Sequence, residues 1–109
     1  MPDDVVQRQV DAYNRRDIEA FMACYATSAA VTWADGSRNL IGHDAIRARY
    51  ADLFARTPDL NAEITGRLRA GEWTVDEERV RGADLDLHVL VGYRVRDDLI
   101  DLVVMMRSD

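Results

Sequence analysis

The stretch that decides the fold is VVQRQVDAYNRRDIEAFMACYATSAAVTW, residues 5–33. In its first part Val6, Val10 and Tyr13 recur at helical spacing, and this single apolar stripe predicts an amphipathic helix. The run Asn14-Arg15-Arg16 interrupts the stripe. Asp17 is suited to begin a second helix, because its carboxylate can accept from the free N–H groups of the next turn.

The second helix is predicted from a further set of apolar residues at helical spacing, namely Ile18, Phe21, Met22 and Tyr25. Both helices are too short to be stable alone, so we expect them to dock on another layer. A short strand is predicted from Ala29 to Ala34. The turn pair Asp35-Gly36 then leads into a return strand from Arg38 to Ile41.

The rest of the chain reads as one more helix followed by long strands. The third helix is predicted from Asp44 to Arg56, and Pro58 prevents it from continuing. Four strands are then predicted: Leu60 to Ala70, Glu72 to Arg81, Leu87 to Arg96 and Leu99 to Arg107. Alternation in the first of these places Leu68 on the buried face with Ala62, and Arg67 on the opposite face.

This order of elements predicts an α+β fold, because helices come first and strands follow. We expect three N-terminal helices packed on a strongly curved, mostly antiparallel sheet, forming a cone with an apolar pocket. The chain has 109 residues and contains no repeat and no linker. One domain, residues 1–109, is therefore predicted.

Composition argues against several classes of partner. The net charge of −6 disfavours nucleic acid and an anionic membrane surface, since both attract basic proteins. No apolar run approaches the roughly 20 residues of a membrane helix. The one cysteine, Cys24, cannot form an intramolecular disulfide and indicates a cytoplasmic protein. His43 and His88 match no metal spacing, so neither a metal nor a cofactor is expected.

Several segments carry a family resemblance: AYNRRDIEAFMACYA at 12–26, the strand that ends at Trp33, LIGHDAIRARYADLF at 40–54, WTVDEERVRG at 73–82 and YRVRDDLIDLV at 93–103. With these the chain resembles the nuclear transport factor 2-like superfamily, which includes ketosteroid isomerases and SnoaL-like polyketide cyclases. It is most similar to short, uncharacterised bacterial members. The resemblance implies a cone with a deep apolar pocket, often in a homodimer, but one fold of this kind hosts many activities.

The isomerase activity can be tested by position. Ketosteroid isomerases use a carboxylate base together with a tyrosine and a protonated acid as hydrogen-bond donors. Aligned on residues 17–20, the base position falls on Trp33, the tyrosine on Gln9 and the second acid on about Leu90 or Val91. None of these side chains can do that chemistry. Asp35 would share the strand phase of Trp33 if the strand extended that far, but the pair Asp35-Gly36 favours a turn.

The remaining candidate acids lie together at Asp76, Glu77 and Glu78. On a strand Asp76 and Glu78 share one face, with Glu77 opposite. Two neighbouring carboxylates can raise one another's pKa, which suits a general acid or base. The competing interpretation, which the pattern favours, is a solvated charged face paired locally with Arg79 and Arg81. If one acid is catalytic, the resemblance points to Glu78, with Asp76 as the second candidate.

Candidate ligand-binding residues are the aromatic side chains, several of which have polar tips. Core packing explains many of them, yet such residues also line small-molecule pockets. We expect a lining of Tyr13, Trp33, Tyr50, Phe54 and Tyr93. His88 is predicted to face away from the pocket, and Cys24 to be an inert buried thiol.

The last strand, Leu99 to Arg107, is apolar on both faces. Such a strand needs a cover on its second side, and this predicts a homodimer through the sheet. Two functions remain open. The first is an apolar-ligand-binding protein with acid–base isomerase, cyclase or dehydratase activity. The second is a non-catalytic dimeric module that binds a ligand or partner.

Overall fold

The computed structural model describes residues 4–107. The helices are α1 (Val5–Arg15), α2 (Ile18–Met22) and α3 (His43–Arg56), and the strands are β1 (Tyr25–Trp33), β2 (Asn39–Ile41), β3 (Asn61–Ala70), β4 (Trp73–Gly82), β5 (Leu85–Arg96) and β6 (Leu99–Arg107). The six strands form one sheet in the order β2-β1-β6-β5-β4-β3. Only β1 and β6 pair in parallel. The three helices pack on this curled sheet, which confirms the predicted α+β class.

The second helix is shorter than predicted. Asp17 caps it as expected, accepting from the backbone N–H of Ala20 at 3.1 Å. The helix ends at Met22, however, and Tyr25 is the first residue of β1 rather than part of the helix. Tyr25 pairs with Ile100 of β6 and is buried. The apolar spacing from Ile18 to Tyr25 is typical of a helix, but a helix this short is not stable by itself. Tyr25 instead pairs with β6 and buries its ring, so the helix ends before it.

Hydrogen bonds from the turn between α1 and α2 attach both helices to the edge of the sheet. The side-chain amide of Asn14 donates to the carbonyl of Ala62 at 2.9 Å and accepts from its N–H at 2.7 Å. Arg16, in a left-handed conformation at φ 55°, donates to the carbonyl of Leu60 at 2.7 Å. Since β3 is the edge strand, these bonds satisfy backbone groups that would otherwise lack a partner.

A bulge in β3 overturns part of the predicted alternation. Ile64 pairs with Glu78, but Gly66 pairs with Glu77, so Thr65 is an extra residue. Beyond the bulge the two faces exchange. Leu68 is therefore 76% exposed instead of buried, and Arg67 points inward.

The core lies between the helices and the concave face of the sheet. Its centre is an aromatic cluster with ring centroids 4.9 to 6.4 Å apart, formed by Tyr13, Phe21, Tyr25, Tyr50 and Phe54. Helices and sheet therefore meet through side chains of which three carry hydroxyl groups. Within residues 4–107, none of the helices has the length and apolar character required to cross a membrane.

The double hydrogen bond of Asn14 generates a stability prediction. Asn14→Ala removes two part-buried hydrogen bonds to Ala62, so we expect a loss of about 2 kcal/mol in the free energy of unfolding. Asn14→Asp keeps the acceptor but places a carboxylate against a carbonyl, and should be at least as destabilising. Urea unfolding measures both.

The matched control is Asn39→Ala, since Asn39 is exposed on β2. It should change the free energy of unfolding by no more than about 0.5 kcal/mol. Equal effects at the two asparagines would contradict the fastening role of Asn14.

Candidate functional site

A cavity of about 430 Å³ lies between the helices and the concave face of the sheet. Its wall is mostly apolar and aromatic, with side chains from α1, α3, β4 and β5. A few polar groups also face it, among them Gln9, Arg49 and Glu78. This combination of an apolar wall with few polar groups is typical of small-molecule sites.

The acidic face of β4 points into the protein. Asp76 is fully buried and Glu78 is 6% exposed, while Glu77 on the opposite face is partly exposed. The interpretation that Asp76 and Glu78 lie on a solvated face is therefore wrong. Thr74 and Val80 are buried in the same phase, so the inner face of β4 is a mixture of polar and apolar side chains.

Asp76 is held in a buried ion pair with Arg67. The guanidinium donates twice, from Nε to Oδ1 at 2.6 Å and from Nη2 to Oδ2 at 2.8 Å. A third bond runs from Nη1 of Arg67 to the side-chain oxygen of Gln7 at 2.8 Å. The hydrogen bonds that Arg67 donates to Asp76 raise the pKa of Arg67 above its ordinary value. The charge of Asp76 is thus compensated by Arg67 where it is buried, and Asp76 does not border the cavity.

Glu78, two residues away, reaches the cavity wall without a cationic hydrogen-bond partner. Its Oε2 accepts from the hydroxyl of Tyr93 at 2.8 Å. Burial raises the pKa of Glu78 to about 7; the Tyr93 bond opposes this rise, and the charge of Asp76 adds to it. A carboxyl group in this state can both take and give a proton near neutral pH.

Four tyrosines surround this carboxyl group, and two of their hydroxyls are already engaged. Tyr93 donates to Glu78, and Tyr25 donates to Oε1 of Gln9 at 3.3 Å. Tyr13 and Tyr50 line the cavity, and their hydroxyls have no hydrogen-bond partner within residues 4–107. Burial raises the pKa of Tyr50 to about 12 and that of Tyr13 further. Both hydroxyls therefore stay protonated and can donate to a ligand.

The predicted ligand-binding residues divide into two groups. Tyr13, Trp33, Tyr50 and Tyr93 border the cavity. Phe54 is 7% exposed and lies behind the cavity wall. Its ring packs edge-on against that of Tyr13, with the two ring centroids 5.5 Å apart. The guanidinium carbon of Arg38 lies over the Trp33 ring, 5.0 Å from the ring centroid.

The other candidates lie away from this cavity. Nε2 of His88 lies 2.7 Å from Oε2 of Glu77 on the outer face of the sheet. His88 therefore faces away from the cavity, as predicted. Asp35 lies in the turn after β1, where its carboxylate accepts from the N–H of Ser37 at 2.9 Å. Cys24 is buried, and burial raises the pKa of its thiol. Residues 4–107 contain no group of three or more His, Cys, Asp or Glu that could hold a metal ion.

Sequence reasoning missed two residues that shape the site. The alternation in β3 predicts Arg67 on the outer face, although Gly66 beside it is a signal for a bulge, because glycine inside a strand often marks one. Arg49 borders the cavity from α3, and its position on the helix gave no sign of this. Gln9 and Trp33 do border the cavity, but they lack the groups that ketosteroid isomerisation requires.

Residues 6–103 match the model of the SnoaL-like domain family. The chain belongs to this family. No protein of curated function matches it in sequence. The SnoaL-like assignment agrees with the helical layer, the curled sheet and the internal cavity of the structure.

Solved structures share the fold of this SnoaL-like chain at low sequence identity. An uncharacterised cystatin-fold protein from Novosphingobium aromaticivorans is 22% identical with a TM-score of 0.85, covering 94% of this chain and 95% of its own. A candidate polyketide cyclase from Sinorhizobium meliloti is 19% identical with a TM-score of 0.83, covering 97% and 95%. A candidate ketosteroid isomerase from Kribbella flavida is 23% identical with a TM-score of 0.79, covering 96% and 76%.

The buried state of Glu78 generates a prediction about pH and stability. Its pKa rises from 4.5 in the unfolded chain to about 7 in the folded one. Below the pKa of 4.5, Glu78 is protonated in both the folded and the unfolded protein, so it does not change the free energy of unfolding. Above about pH 7 the folded protein carries a buried charge. Stability relative to Glu78→Gln should therefore fall as pH rises through this window, by up to about 3 kcal/mol.

Urea unfolding of both proteins at several pH values measures this difference, and carboxyl ¹³C NMR follows the titration of Glu78 directly. Tyr93→Phe removes the hydrogen bond that opposes the shift, so it should move the Glu78 midpoint to higher pH. A Glu78 midpoint near 4.5 in the folded protein would contradict the buried state described above.

Proposed function

We propose that this SnoaL-like protein binds an apolar small molecule in its cavity and moves a proton on it with Glu78. The observation that supports this most is a buried carboxyl group on an apolar wall whose pKa is raised to about 7. A base is most effective when its pKa lies near the working pH. Isomerisation, cyclisation and dehydration are the reaction classes that such a base serves.

In the proposed step, the Glu78 carboxylate removes a proton from a carbon next to a carbonyl group. The electron pair of the broken C–H bond forms a C=C bond, and the carbonyl electrons move onto oxygen. The hydroxyls of Tyr13 and Tyr50 can donate to that oxygen, since neither is engaged within residues 4–107. In an isomerisation, Glu78 then returns the proton at another carbon. In a cyclisation, the carbon instead bonds to a second carbonyl carbon of the ligand, and the oxygen of that carbonyl takes the proton from Glu78.

Asp76 has a different role in this proposal. Its carboxylate is locked by Arg67 and lies behind the cavity wall. It therefore acts on Glu78 through its charge and not on the ligand. Of the two predicted acids, we assign proton transfer to Glu78 and positioning to Asp76.

The comparisons support the reaction class more than any substrate. Structures of this fold include a candidate polyketide cyclase and a candidate ketosteroid isomerase, whose named activities both involve a carbon acid. Gln9 and Trp33 replace the isomerase residues, which favours a second candidate function. In that alternative the cavity binds a ligand without changing it, as a non-catalytic dimeric module.

We also propose that the protein works in the cytoplasm without nucleic acid or membrane as a partner. The net charge of −6 opposes binding to either polyanionic surface. The chain's one cysteine, Cys24, is a buried thiol, which suits a reducing compartment. The partner that remains is a second copy of the chain.

A carbon-acid probe distinguishes the two functions. Exchange of the α-hydrogens of 2-tetralone in D₂O, followed by ¹H NMR, requires only that a base remove and return a proton. Wild-type protein should accelerate exchange with an inflection near pH 7, and Glu78→Gln should lower the protein-catalysed rate by about 100-fold or more. Tyr93→Phe should move the inflection to higher pH.

Glu77→Gln is the matched control, because Glu77 neighbours Glu78 but lies on the outer face with His88. It should keep the wild-type rate. Saturable binding of 2-tetralone with no exchange above the Glu78→Gln level would favour the non-catalytic module.

The homodimer is proposed to form through the outer face of the sheet. Leu90 and Leu68 are 43% and 76% exposed there. On β6, Leu102, Val104 and Met106 are partly exposed on the same side. A face with this many apolar side chains favours association with a second apolar surface.

Leu90→Glu tests the dimer by placing a charge at the centre of that face. We expect the wild-type mass in light scattering to be twice the chain mass of 12.4 kDa, and the variant to have the mass of one chain. Arg15→Glu is the control, since Arg15 is exposed at the end of α1. A wild-type monomer at micromolar concentration would overturn the dimer.

A further inference from the structure

Arg49 differs from the other arginines of α3. Arg47 pairs with Glu19, and Arg56 donates from Nε to Oδ2 of Asp52 at 2.7 Å. Arg49 makes no ion pair within residues 4–107, yet it borders the cavity and is exposed at its mouth. A guanidinium with free donors beside an apolar cavity is positioned to bind a group of the ligand.

The free donors of the cavity lie on the same side as Arg49. The charge of Arg49 acts against the rise in pKa of both Tyr13 and Tyr50, so its guanidinium is close enough to influence both hydroxyls. Neither hydroxyl has a hydrogen-bond partner within residues 4–107. The helical wall of the cavity thus presents three side chains that donate and that have no acceptor in the described protein.

We propose that the natural ligand is an amphipathic carboxylate, with its apolar body inside the cavity and its carboxylate held by Arg49 at the mouth. The inference rests on the proposed function and adds the substrate class. A planar carboxylate matches the fork of N–H donors on a guanidinium. The apolar body then extends past Tyr50 toward Glu78 on β4.

The charged side chains around the cavity mouth bear on whether the ligand carries a carboxylate or a cation. Arg56 borders the cavity, but Asp52 already occupies its Nε–H. Asp84, in the turn between β4 and β5, brings one exposed carboxylate to the same cavity. A cationic ligand would be attracted by Asp84 and repelled by Arg49, so a comparison of ligand charges separates the two orientations.

The test uses three bicyclic probes of similar size: 2-naphthoate, the neutral 2-naphthamide and the cationic 2-naphthylmethylamine. Isothermal titration calorimetry is run at about pH 6, below the pKa of Glu78, so that Glu78 is mostly uncharged. Wild-type protein should bind the carboxylate about five- to tenfold more tightly than the amide, and the amine most weakly. Arg49→Gln should reduce the carboxylate-to-amide ratio to about one.

Arg47→Gln is the matched control, because it removes an equal charge from the same helix at a residue that pairs with Glu19 and does not border the cavity; it should keep the preference. Equal binding of carboxylate and amide to the wild type would overturn the inference and leave the cavity as a binding site. So would tighter binding of the amine, or an unchanged ratio in Arg49→Gln. Binding of none of the probes would overturn both the inference and the proposed cavity function.

Discussion

The ion pair between Arg67 and Asp76 is the contact on which the rest of the site depends. Strand β4 turns both Asp76 and Glu78 inward, and a buried carboxylate without compensation is strongly unfavourable. The guanidinium of Arg67 compensates one of them with two short hydrogen bonds. It can do so only because the bulge at Thr65 reverses the phase of β3. If β3 paired regularly through Thr65, Arg67 would lie opposite Val75 on the outer face and Leu68 opposite Thr74 on the inner one.

The same contact separates the behaviour of the two acids. Asp76 has a cationic partner, whereas Glu78 has a neutral donor in Tyr93 and the charge of Asp76 nearby. Burial is the largest influence on Glu78, and it raises the pKa of this group to about 7 although the Tyr93 hydrogen bond and the charge of Arg67 oppose the rise. In many enzymes, two neighbouring carboxyl groups have different acid–base roles because their surroundings differ. Here the difference arises from which neighbouring strand supplies the partner: β3 supplies a charge and β5 a hydroxyl.

Much of this architecture is predictable from the sequence, because periodicity and caps are local signals. The stripe Val6, Val10, Tyr13 and the cap at Asp17 locate the helices, and the order of elements gives the α+β class. Three features are not local. The end of α2 depends on pairing of Tyr25 with Ile100 of a distant strand. The phase of Arg67 depends on a bulge whose only mark is Gly66. The orientation of β4 cannot be read from alternation, since its inner face includes Thr74, Asp76 and Glu78 while Val75 lies on the outer one.

The placement of Glu78 on β4 suggests how one fold can retain a cavity while its candidate acid–base group moves to a different strand. The inner faces of several strands meet the same cavity, so a carboxyl group on any of them can reach a ligand inside it. In this chain the end of β1 carries Trp33, whereas β4 carries Glu78. Under the proposed function the base then acts from the sheet, and the free donors Tyr13 and Tyr50 act from the helices. A ligand between these two walls would lose a proton toward the sheet while negative charge develops toward the helices. The new charge would then lie beside hydroxyls that burial holds in their protonated form.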